Sequence, residues 1–500
     1  MDKEEILRQE AIRLSLQGHS VLAISKELGR SRQWVYKWLN QFKQSKDQNW
    51  SKSQSNVPKH FMKKTRFAIC GLSLRGIYHF ALPILGKNQD SGTNFSNQAE
   101  LVGILDIDCK RVEAFLGKVG VQIPYYPADA IGRMLKETRP DVLIVVGPDG
   151  THCEHIVAGL EAGCEVIAEK PMVINAEQIR RVQAAEKKSG RAVRVAHNYR
   201  YVPRHKQLKR MILSGQLGRI INIEFTYNLD TFHGSSYFYR WNSNREMAGG
   251  LSISKSCHHF DLINWLLDDV PAEVFAFGGL NYYGANGALR PRDAHGQPLS
   301  SADEKRNCPI FQKHYAGKFA PDSNEISTGW DDFKLPYDVQ YPPEKRRYIY
   351  DDIKVEDTYN AVVRYQRGTT MSYSCNCCTP WSGYILGING TAGRVEIASH
   401  ANPDPTGKTA PAAEIDLITF YPLFGGKQLI EVPPVSGGHG GADFVIRDDL
   451  ILGTSAESKE LQLVAGSQAG AYAIAIGEAM WRSIQEHRAI SIPSLLAGEY

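Results

Sequence analysis

Residues 66–76 read RFAICGLSLRG, and this stretch decides the fold. Its apolar start predicts a buried strand, and the turn that follows has the spacing of the dinucleotide fingerprint G-x-G-x-x-G, with Ser73 at the middle position. Gly71 allows a tight turn, Gly76 allows a helix to pack closely on the strand, and Ser73 is small enough to admit a pyrophosphate. An ordinary glycine turn is the alternative. Because a strand precedes the turn and a helix follows, we expect the turn, including Arg75, to bind a nicotinamide dinucleotide.

Strands and helices alternate after this turn. Four short apolar runs predict buried strands: Arg66–Cys70, Leu101–Asp106, Asp141–Val146 and Cys164–Ala168. Helix His152–Ala162 lies between the last two strands, and the polar insertion Asn88–Gln98 predicts a surface loop. The alternation predicts an α/β fold with a parallel, doubly wound sheet of the Rossmann type over residues 64–197.

An acidic residue, Asp106, ends the second predicted strand. A carboxylate at this place accepts hydrogen bonds from the adenosine ribose hydroxyls and repels a 2′-phosphate, so NAD is favoured over NADP. Lys110 and Arg111 follow closely and leave NADP open. A solvated aspartate at a strand end is the alternative interpretation.

The tripeptide Glu169-Lys170-Pro171 directly follows an apolar strand. Ligands of open α/β sheets gather at the carboxyl ends of the strands. A lysine there would lie beside the nicotinamide and hydrogen-bond a reacting hydroxyl or carbonyl oxygen, while the proline restricts the lysine backbone. We expect Glu169 and Lys170 at the cofactor site, with Lys170 catalytic.

A second cluster of reactive side chains follows Gly249-Gly250. It comprises Ser254, Lys255, His258, His259 and Asp261. On one continuous helix, residues 254, 258 and 261 share a face by their i, i+4, i+7 spacing. His258 is then the candidate proton carrier at neutral pH. Alternatively, the histidines and the aspartate brace a contact between domains.

Five motifs occur in one order along the chain: the turn at 71–76, Pro148 with His152, Glu169-Lys170-Pro171, Asn198-Tyr-Arg200-Tyr201, and the segment 249–261. In this order they resemble the Gfo/Idh/MocA oxidoreductases over roughly residues 64–500. The resemblance implies a Rossmann domain and then an α+β domain with a large, mainly antiparallel open sheet, which often forms the oligomer interface. It also implies that Lys170 and His258 flank the hydroxyl being oxidised, and that Pro148, His152 and Asn198 belong to the cofactor site.

One departure from this family pattern concerns the substrate. Many members carry an aspartate four residues before the catalytic histidine, where this chain has Ser254, and the neighbouring Lys255 changes the local charge. We assign six residues to substrate binding: Arg200, His233, Arg240, Trp241, Lys255 and His259. Three of them lie in the polar and aromatic stretch HGSSYFYRW, which suits a sugar-sized ligand or, alternatively, forms a structured loop. His439 is a weaker candidate for the same pocket.

The pattern becomes β-rich beyond residue 198, which predicts a second domain over residues 198–500. Its clearest strands are Ile220–Asn228, Thr358–Tyr365 and Thr370–Cys375. Residues 281–350, rich in Pro, Gly and charge, predict a long excursion. Ser467–His487 predicts a buried helix.

The first residues differ from the rest in both pattern and charge. Glu4–Gln17, Val21–Leu28 and a helix capped by Ser31 predict a helix-turn-helix module over residues 1–44, followed by a linker, 45–63. Its apolar stripe comprises Ile24, Leu28, Val35, Trp38, Leu39 and Phe42. Residues 1–64 hold 13 Lys and Arg against 6 Asp and Glu, a charge of +7, so DNA or another protein is the expected partner.

Composition narrows the class of protein. With 500 residues, 42% hydrophobic and 22% charged, the chain has the composition of a globular protein with two or three domains. It lacks an apolar run long enough for a membrane helix, and its charged start lacks a secretory pattern. Nine scattered cysteines favour a reducing cytoplasm. Cys375-Asn-Cys377-Cys378 lacks the distant second cysteine pair of a zinc site, so these are predicted strand cysteines and no metal is expected.

These patterns together predict an NAD(P)-dependent oxidoreductase that moves hydride between a nicotinamide and a carbinol carbon of a sugar, polyol or glycoside, in a homo-oligomer. Two alternatives remain open. One is an NAD-dependent glycoside-processing enzyme that uses transient oxidation and elimination. The other is a DNA-binding regulator with an oxidoreductase-like sensor body; Lys170 and His258 argue against it, and Ser254 keeps it open.

Overall fold

The computed structural model describes residues 64–499, except 88–92, 315–347, 402–415, 434, 436–437 and 439. It also describes ten positions from Leu7 to Val35. The chain divides into two compact units, Met1–Lys63 and Lys64–Tyr500.

The N-terminal unit has a small apolar core. Four buried side chains form it, and two partly buried ones pack against them: Ala11, Leu14, Ile24 and Val35, with Leu28 and Trp34. The predicted burial of Ile24, Leu28 and Val35 is therefore confirmed. The other predicted members of the stripe, Trp38, Leu39 and Phe42, lie outside the described residues.

The larger unit begins with a parallel sheet. Its first six strands are β1 (Thr65–Cys70), β2 (Ala99–Asp106), β3 (Tyr125–Pro127), β4 (Val142–Val145), β5 (Glu165–Ala168) and β6 (Val193–Val195). They lie in the order β6-β5-β4-β1-β2-β3, and all of these pairs are parallel. The predicted doubly wound sheet is confirmed, and the four strands expected from the sequence agree with it to within two residues.

Helices connect these strands and cover both faces of the sheet. A π-helical turn, Gly76–Ala81, continues into α1 (Leu82–Leu85), followed by α2 (Cys109–Val119), α3 (Ile131–Thr138), α4 (His152–Glu161) and α5 (Ala176–Ser189). Alternate residues of β1 enter different cores: Phe67 and Ile69 pack in one, Ala68 and Cys70 in the other. Burial on both faces explains why the strands are apolar runs rather than alternating patterns.

The second sheet is larger and mostly antiparallel. Its first eight strands are β7 (Ile220–Asp230), β8 (Pro271–Gly279), β9 (Thr358–Tyr365), β10 (Thr370–Thr379), β11 (Ser382–Gly390), β12 (Gly393–Ala401), β13 (Asp416–Pro422) and β14 (Gln428–Val432). They lie in the order β14-β13-β12-β11-β7-β10-β9-β8. Among the described residues, β7 and β10 pair in parallel and the other neighbouring strands pair antiparallel. Residues of β9 alternate between buried and exposed, so one face of the sheet is covered and the other is open.

Helices of the second half of the chain cover the buried face of this sheet or lie in the connections around it. They are α6 (Pro203–Leu213), α7 (Thr231–Tyr239), α8 (Arg245–Ala248), α9 (Leu251–Ser254), α10 (Cys257–Leu267), α11 (Ser301–Asn307), α12 (Pro309–His314), α13 (Ala442–Leu452), α14 (Ala456–Glu460), α15 (Ser467–Glu486) and α16 (Ile492–Ala497). The predicted excursion 281–350 contains α11 and α12, and its residues 315–347 lie outside the described part. The predicted long buried helix is confirmed as α15.

Two short strands from the end of the chain complete the sheets. β15 (Ala465–Gly466) pairs antiparallel with β6 of the first sheet, and β16 (Ile490–Ser491) pairs with β8 of the second. Between them, Glu478 of α15 accepts a hydrogen bond from the amide of Ala176 at 2.5 Å, at the start of α5. The expected boundary at residues 197 and 198 therefore does not separate the two sheets completely.

Within the described residues, no helix has both the length and the apolar character to cross a membrane. The same residues contain no group of three or more His, Cys, Asp or Glu placed to hold a metal ion. Cys375 and Cys377 are buried on β10, which confirms their interpretation as strand cysteines.

Candidate active site

The glycine turn after β1 is closely packed against the loop after β4. A Cβ atom on Gly71 would lie 2.6 Å from the Cα of Gly147, and Gly71 has a φ of +96°, so only glycine fits there. The hydroxyl of Ser73 donates to the carbonyl of Val146 at 3.0 Å and accepts from the amide of Gly76 at 3.1 Å. Ser73 thus fixes the turn between the loop after β4 and the start of the helix. A dinucleotide phosphate fits this cradle.

Asp106 at the end of β2 holds the same turn from the other side. One carboxylate oxygen accepts from the amide of Leu72 at 2.6 Å, and the other accepts from the amide of Asp108 at 2.8 Å. Burial raises the pKa of Asp106. Arg111 is fully buried, and its Nε donates to the carbonyl of Leu72 at 2.9 Å, so it also braces the turn.

Arg75 connects the glycine turn to two segments that are distant in sequence. Its guanidinium donates to Glu169 at 2.7 Å and lies 3.0 Å from a carboxylate oxygen of Asp443, at the start of α13. The amide of Asn198 donates to the same carboxylate at 2.8 Å, and its own side-chain oxygen is buried without a hydrogen bond among the described residues. The structure thus brings Arg75, Glu169 and Asn198 together, as predicted for one site, and adds Asp443, which sequence reasoning missed.

His152 has a different position from that expected of a cofactor ligand. Its Nδ1 lies 2.9 Å from the carbonyl oxygen of Pro171 and its Nε2 lies 2.9 Å from that of Gly147. The ring therefore lies between the loops after β4 and β5. Burial lowers its pKa, and the neutral imidazole donates to one of the two carbonyls. This corrects the assignment of His152, which supports the site rather than facing a ligand. Pro148 lies in the same β4 loop, where its carbonyl accepts from Thr151 at 2.8 Å.

Lys170 extends from the end of β5 toward the second half of the chain. Its Nζ donates to the backbone carbonyl of Ser254 at 3.3 Å, and its peptide bond to Pro171 is cis. Ser254 is the last residue of α9, so its carbonyl has no helical partner and is available to a cation.

Asp149 lies next to Lys170 and was missed by the sequence analysis. It follows β4 at the carboxyl edge of the sheet and is 7% exposed. Burial raises the pKa of Asp149 well above its ordinary value, although Lys170 and Arg240 act to lower it. Its position in Pro148-Asp149-Gly150, directly after a buried strand, is the sequence signal that could have identified it.

The segment from Gly249 to Asp261 is not one helix, which corrects the shared-face argument. It breaks between α9 and α10, with Lys255 and Ser256 between them. His258 lies in the first turn of α10, buried, with its ring stacked on Tyr199 at 4.5 Å. The carbonyl that accepts from Lys170 and the ring of His258 therefore belong to two different helices, on either side of the break.

Two of the predicted substrate residues belong to the core instead. Arg200 donates to both carboxylate oxygens of Asp261, at 2.8 and 2.6 Å, in a buried ion pair. His259 is fully buried, with its Nδ1 2.8 Å from the hydroxyl of Tyr373 on β10. Burial lowers the pKa of His259 well below its ordinary value. Both assignments are therefore corrected: these side chains brace the packing of α10 within the second half of the chain.

The remaining predicted substrate residues lie around a group of tyrosines. Lys255 has its Nζ 5.1 Å from the ring centre of Tyr227, and the ring of His233 stacks on Tyr237 at 5.9 Å. Arg240 and Trp241 follow α7, and both are partly exposed. His439 lies outside the described residues.

Two family descriptions match nearly all of the larger unit. The description "Oxidoreductase family, NAD-binding Rossmann fold" matches residues 65–197, and "Oxidoreductase family, C-terminal alpha/beta domain" matches residues 209–492. The chain belongs to the Gfo/Idh/MocA oxidoreductase family. It is therefore an NAD(P)-dependent oxidoreductase. A third description, "Homeodomain-like domain", matches residues 2–49.

Individual relatives of this Gfo/Idh/MocA protein agree with that assignment. A Bacillus subtilis (strain 168) protein classed as an oxidoreductase, YteT, is 40% identical over 85% of this chain and 97% of its own length. Inositol 2-dehydrogenase 3 of Saccharopolyspora erythraea is 30% identical over 35% of this chain, which spans about half, 49%, of that enzyme. The solved aldose-aldose oxidoreductase of Caulobacter crescentus has the same fold, with a TM-score of 0.54 and 16% identity over 86% of this chain and 100% of its own.

The departure from the Gfo/Idh/MocA pattern at Ser254 has a structural counterpart. Ser254 contacts Lys170 through its backbone carbonyl rather than through a carboxylate side chain. A second acidic residue, Asp149 on the loop after β4, is buried in the same region, and burial raises the pKa of its carboxyl group.

Proposed function

We propose that this enzyme transfers hydride between NAD and a carbinol carbon of a sugar, polyol or glycoside. The observation that carries the proposal is the contact between Lys170 and the carbonyl of Ser254. This contact joins the carboxyl edge of the cofactor sheet to the helix break that precedes His258. Names of the relatives, an inositol dehydrogenase and an aldose oxidoreductase, support a polyhydroxylated substrate.

Lys170 and His258 act on the reacting hydroxyl in different ways. When bound, the nicotinamide accepts hydride from the carbinol carbon or returns it there. His258 accepts the hydroxyl proton, and the ammonium of Lys170 stabilises the negative charge that develops on the oxygen. Tyr199, stacked on His258, fixes the orientation of the imidazole ring.

Other residues hold the cofactor. The turn from Gly71 to Gly76 binds the diphosphate, and the unsatisfied side-chain oxygen of Asn198 accepts from a polar group of the nicotinamide half. Asp106 favours NAD because each of its carboxylate oxygens retains a lone pair for the ribose hydroxyls, and its charge repels a 2′-phosphate. Arg111 is engaged with the turn, so Lys110 is the cation left to support NADP.

Incubation of the purified protein with NAD and a panel of sugars, polyols and glycosides tests the proposal. The expected result is formation of reduced nicotinamide with at least one of them, together with its keto product. Failure of every compound, in both directions and with both cofactors, would contradict it. Titration of the protein with NAD and NADP tests the cofactor preference separately, and tighter binding of NADP would assign Lys110 to its phosphate.

We also propose that the open face of the second sheet forms a homo-oligomer. Large apolar side chains lie exposed on three of its strands: Phe277 at 64%, Val362 at 53% and Ile385 at 47%. The strand register places them on one face. Phe277 pairs with Asn360, which lies two residues before Val362 on β9, and Ile385 pairs with Thr226 on that same face of the sheet. Exposed apolar groups on a continuous sheet face are typical of a subunit interface. Light scattering should give a multiple of the 55.8 kDa chain mass.

A further inference from the structure

Lys255 is a buried cation without an ionic partner. It is 7% exposed, and among the described residues no carboxylate lies within ion-pair distance and no acceptor takes a hydrogen bond from its Nζ. Three arginines of this region are each paired with a carboxylate: Arg75 with Glu169, Arg200 with Asp261, and Arg245 with Glu356. A buried charge that remains unpaired is costly, so it is kept where a ligand supplies the counter-charge.

Phenols and thiols, rather than carboxylates, surround Lys255. Its ammonium lies over the ring of Tyr227, with Tyr199 and Tyr237 also close. Burial raises the pKa of Tyr199 and of Tyr227, so both phenols are protonated at neutral pH. Burial lowers the pKa of Lys255, and Tyr237, Tyr199 and Cys375 raise it, so that it lies above its ordinary value.

The location of Lys255 connects it to the catalytic groups. It directly follows Ser254, whose carbonyl holds Lys170, and it precedes His258 by three residues. Tyr199 contacts both sides of this arrangement, because its ring stacks on His258 and its hydroxyl lies near Lys255. Lys255 and His258 are therefore both neighbours of one tyrosine, Tyr199.

We propose that Lys255 binds the carboxylate of a sugar acid, so that the substrate is a uronate or aldonate rather than a neutral sugar. This inference rests on the proposed function, because it names the substrate class of the same site. A carboxylate supplies the counter-charge for an ammonium that lies over a tyrosine ring, and a neighbouring phenol can donate to one of its remaining lone pairs. The three tyrosines then contact the sugar ring and its hydroxyls.

One group could compete with a substrate carboxylate for this charge. Cys375, buried on β10, lies near Lys255, and its thiolate would neutralise the ammonium without a ligand. Cys257, the other nearby thiol, is protonated at neutral pH, because burial raises its pKa to about 12. A Cys375→Ser variant separates the two arrangements: a substrate subsite keeps its preference for acids in this variant.

The experiment compares matched acid and neutral sugars with the full-length enzyme. D-glucuronate and D-galacturonate are paired with D-glucose and D-galactose, and a hexose phosphate is added as a second anion. We expect kcat/KM to favour the acid of at least one pair by about tenfold or more, the usual difference for a hydrogen bond to a charged group. Lys255→Met should abolish this preference while it changes the neutral sugar only a few-fold, and Lys255→Arg should retain it.

Lys187→Met, on the exposed face of α5, is the matched control and should change neither sugar. A preference for the neutral sugar or for the phosphate, an equal loss on both members of a pair in Lys255→Met, or an acid preference seen only in Cys375→Ser would overturn the inference. If no sugar is turned over, the proposed function fails, and calorimetric titration of galacturonate into the NAD-loaded enzyme tests the subsite alone. Binding that Lys255→Met abolishes would support the subsite, and absence of binding would overturn it.

Discussion

Lys170 reaches the second half of the chain through one hydrogen bond, to the carbonyl of Ser254. We expect Lys170→Ala to lower kcat by about two orders of magnitude or more, because a preorganised charge beside the reacting oxygen is lost. Cofactor affinity should stay near that of the wild type, since the glycine turn and Asp106 are unchanged. Steady-state kinetics and cofactor titration check both statements, and turnover close to wild type would remove Lys170 from the mechanism.

Asp149 provides a test that depends on pH. Because burial raises its pKa in the folded protein, the folded state holds this proton more tightly than the unfolded chain does. Its contribution to stability is present below the unfolded pKa of about 4 and is lost as pH rises through the higher folded pKa. Asp149→Asn cannot ionise, so its Tm relative to wild type should increase from about pH 5 to about pH 8.

The control for this measurement is Asp129→Asn, because Asp129 is an exposed aspartate on the turn before α3. Its Tm should follow that of the wild type across the same range. Parallel curves for Asp149→Asn and wild type would show that the Asp149 carboxyl does not titrate differently on folding.

Sequence reasoning located single residues better than it located their partners. Gly71, Ser73 and Glu169 lie where the local motifs predict. Arg75, however, pairs with Asp443, which is 368 positions away, and no local spacing reports such a contact. Arg200 and His259 were misassigned for the same reason: a polar side chain near a site can serve the core, and only the packed structure identifies its partner.

At the scale of elements, the contact between α15 and α9 supports the site directly. A Cβ atom on Gly477 would lie 2.2 Å from the carbonyl oxygen of Ser252, so glycine allows these helices to pack in close contact. Gly477→Ala should displace α9 and lower the free energy of unfolding by about 1–3 kcal/mol. Turnover should fall as well, because α9 carries the carbonyl that holds Lys170.

Gly117→Ala is the matched control, within helix α2 and with nothing within 4 Å of the added methyl group. This change should stabilise the protein by up to about 1 kcal/mol, because alanine favours the helix, and leave turnover unchanged. Urea unfolding of the two variants measures both effects. Equal stability changes in Gly477→Ala and Gly117→Ala would contradict the close contact.

Element boundaries were predictable where hydrophobic pattern decides them, as in the first sheet and in α15. The break between α9 and α10 was not, because neither Gly nor Pro marks Lys255 and Ser256. Tertiary packing produces it instead, since the break exposes the Ser254 carbonyl that accepts from Lys170. Helical spacing alone therefore gave the wrong geometry for this segment.

For the whole molecule, the N-terminal unit poses a separate question from the enzyme. Residues 1–64 carry a charge of +7, and Arg30, Arg32, Gln33 and Lys37 precede or begin the predicted third helix. We propose that this unit binds duplex DNA in a salt-dependent way and is dispensable for catalysis. A protein that begins at Lys64, the start of the larger compact unit, should keep oxidoreductase activity and lose retention in a low-salt gel-shift assay.

Two results would contradict this expectation in different ways. Absence of DNA retention by the full-length protein at low salt would favour a protein-docking unit. Loss of activity on truncation would make the unit part of the enzyme. Additions of salt to a positive gel shift should weaken retention steeply, because bound counterions are released from the phosphates when basic side chains bind.

The pairing of β15 with β6 also determines at what stage of synthesis the first sheet can acquire its last strand. Its two residues come from positions 465–466, and α15, which follows, donates Glu478 to the amide of Ala176 in α5. During synthesis on the ribosome, β6 therefore remains an unpaired edge until residues 465–466 have emerged. We expect nascent chains that stop before residue 465 to bind the cofactor poorly and to need chaperone protection of that edge.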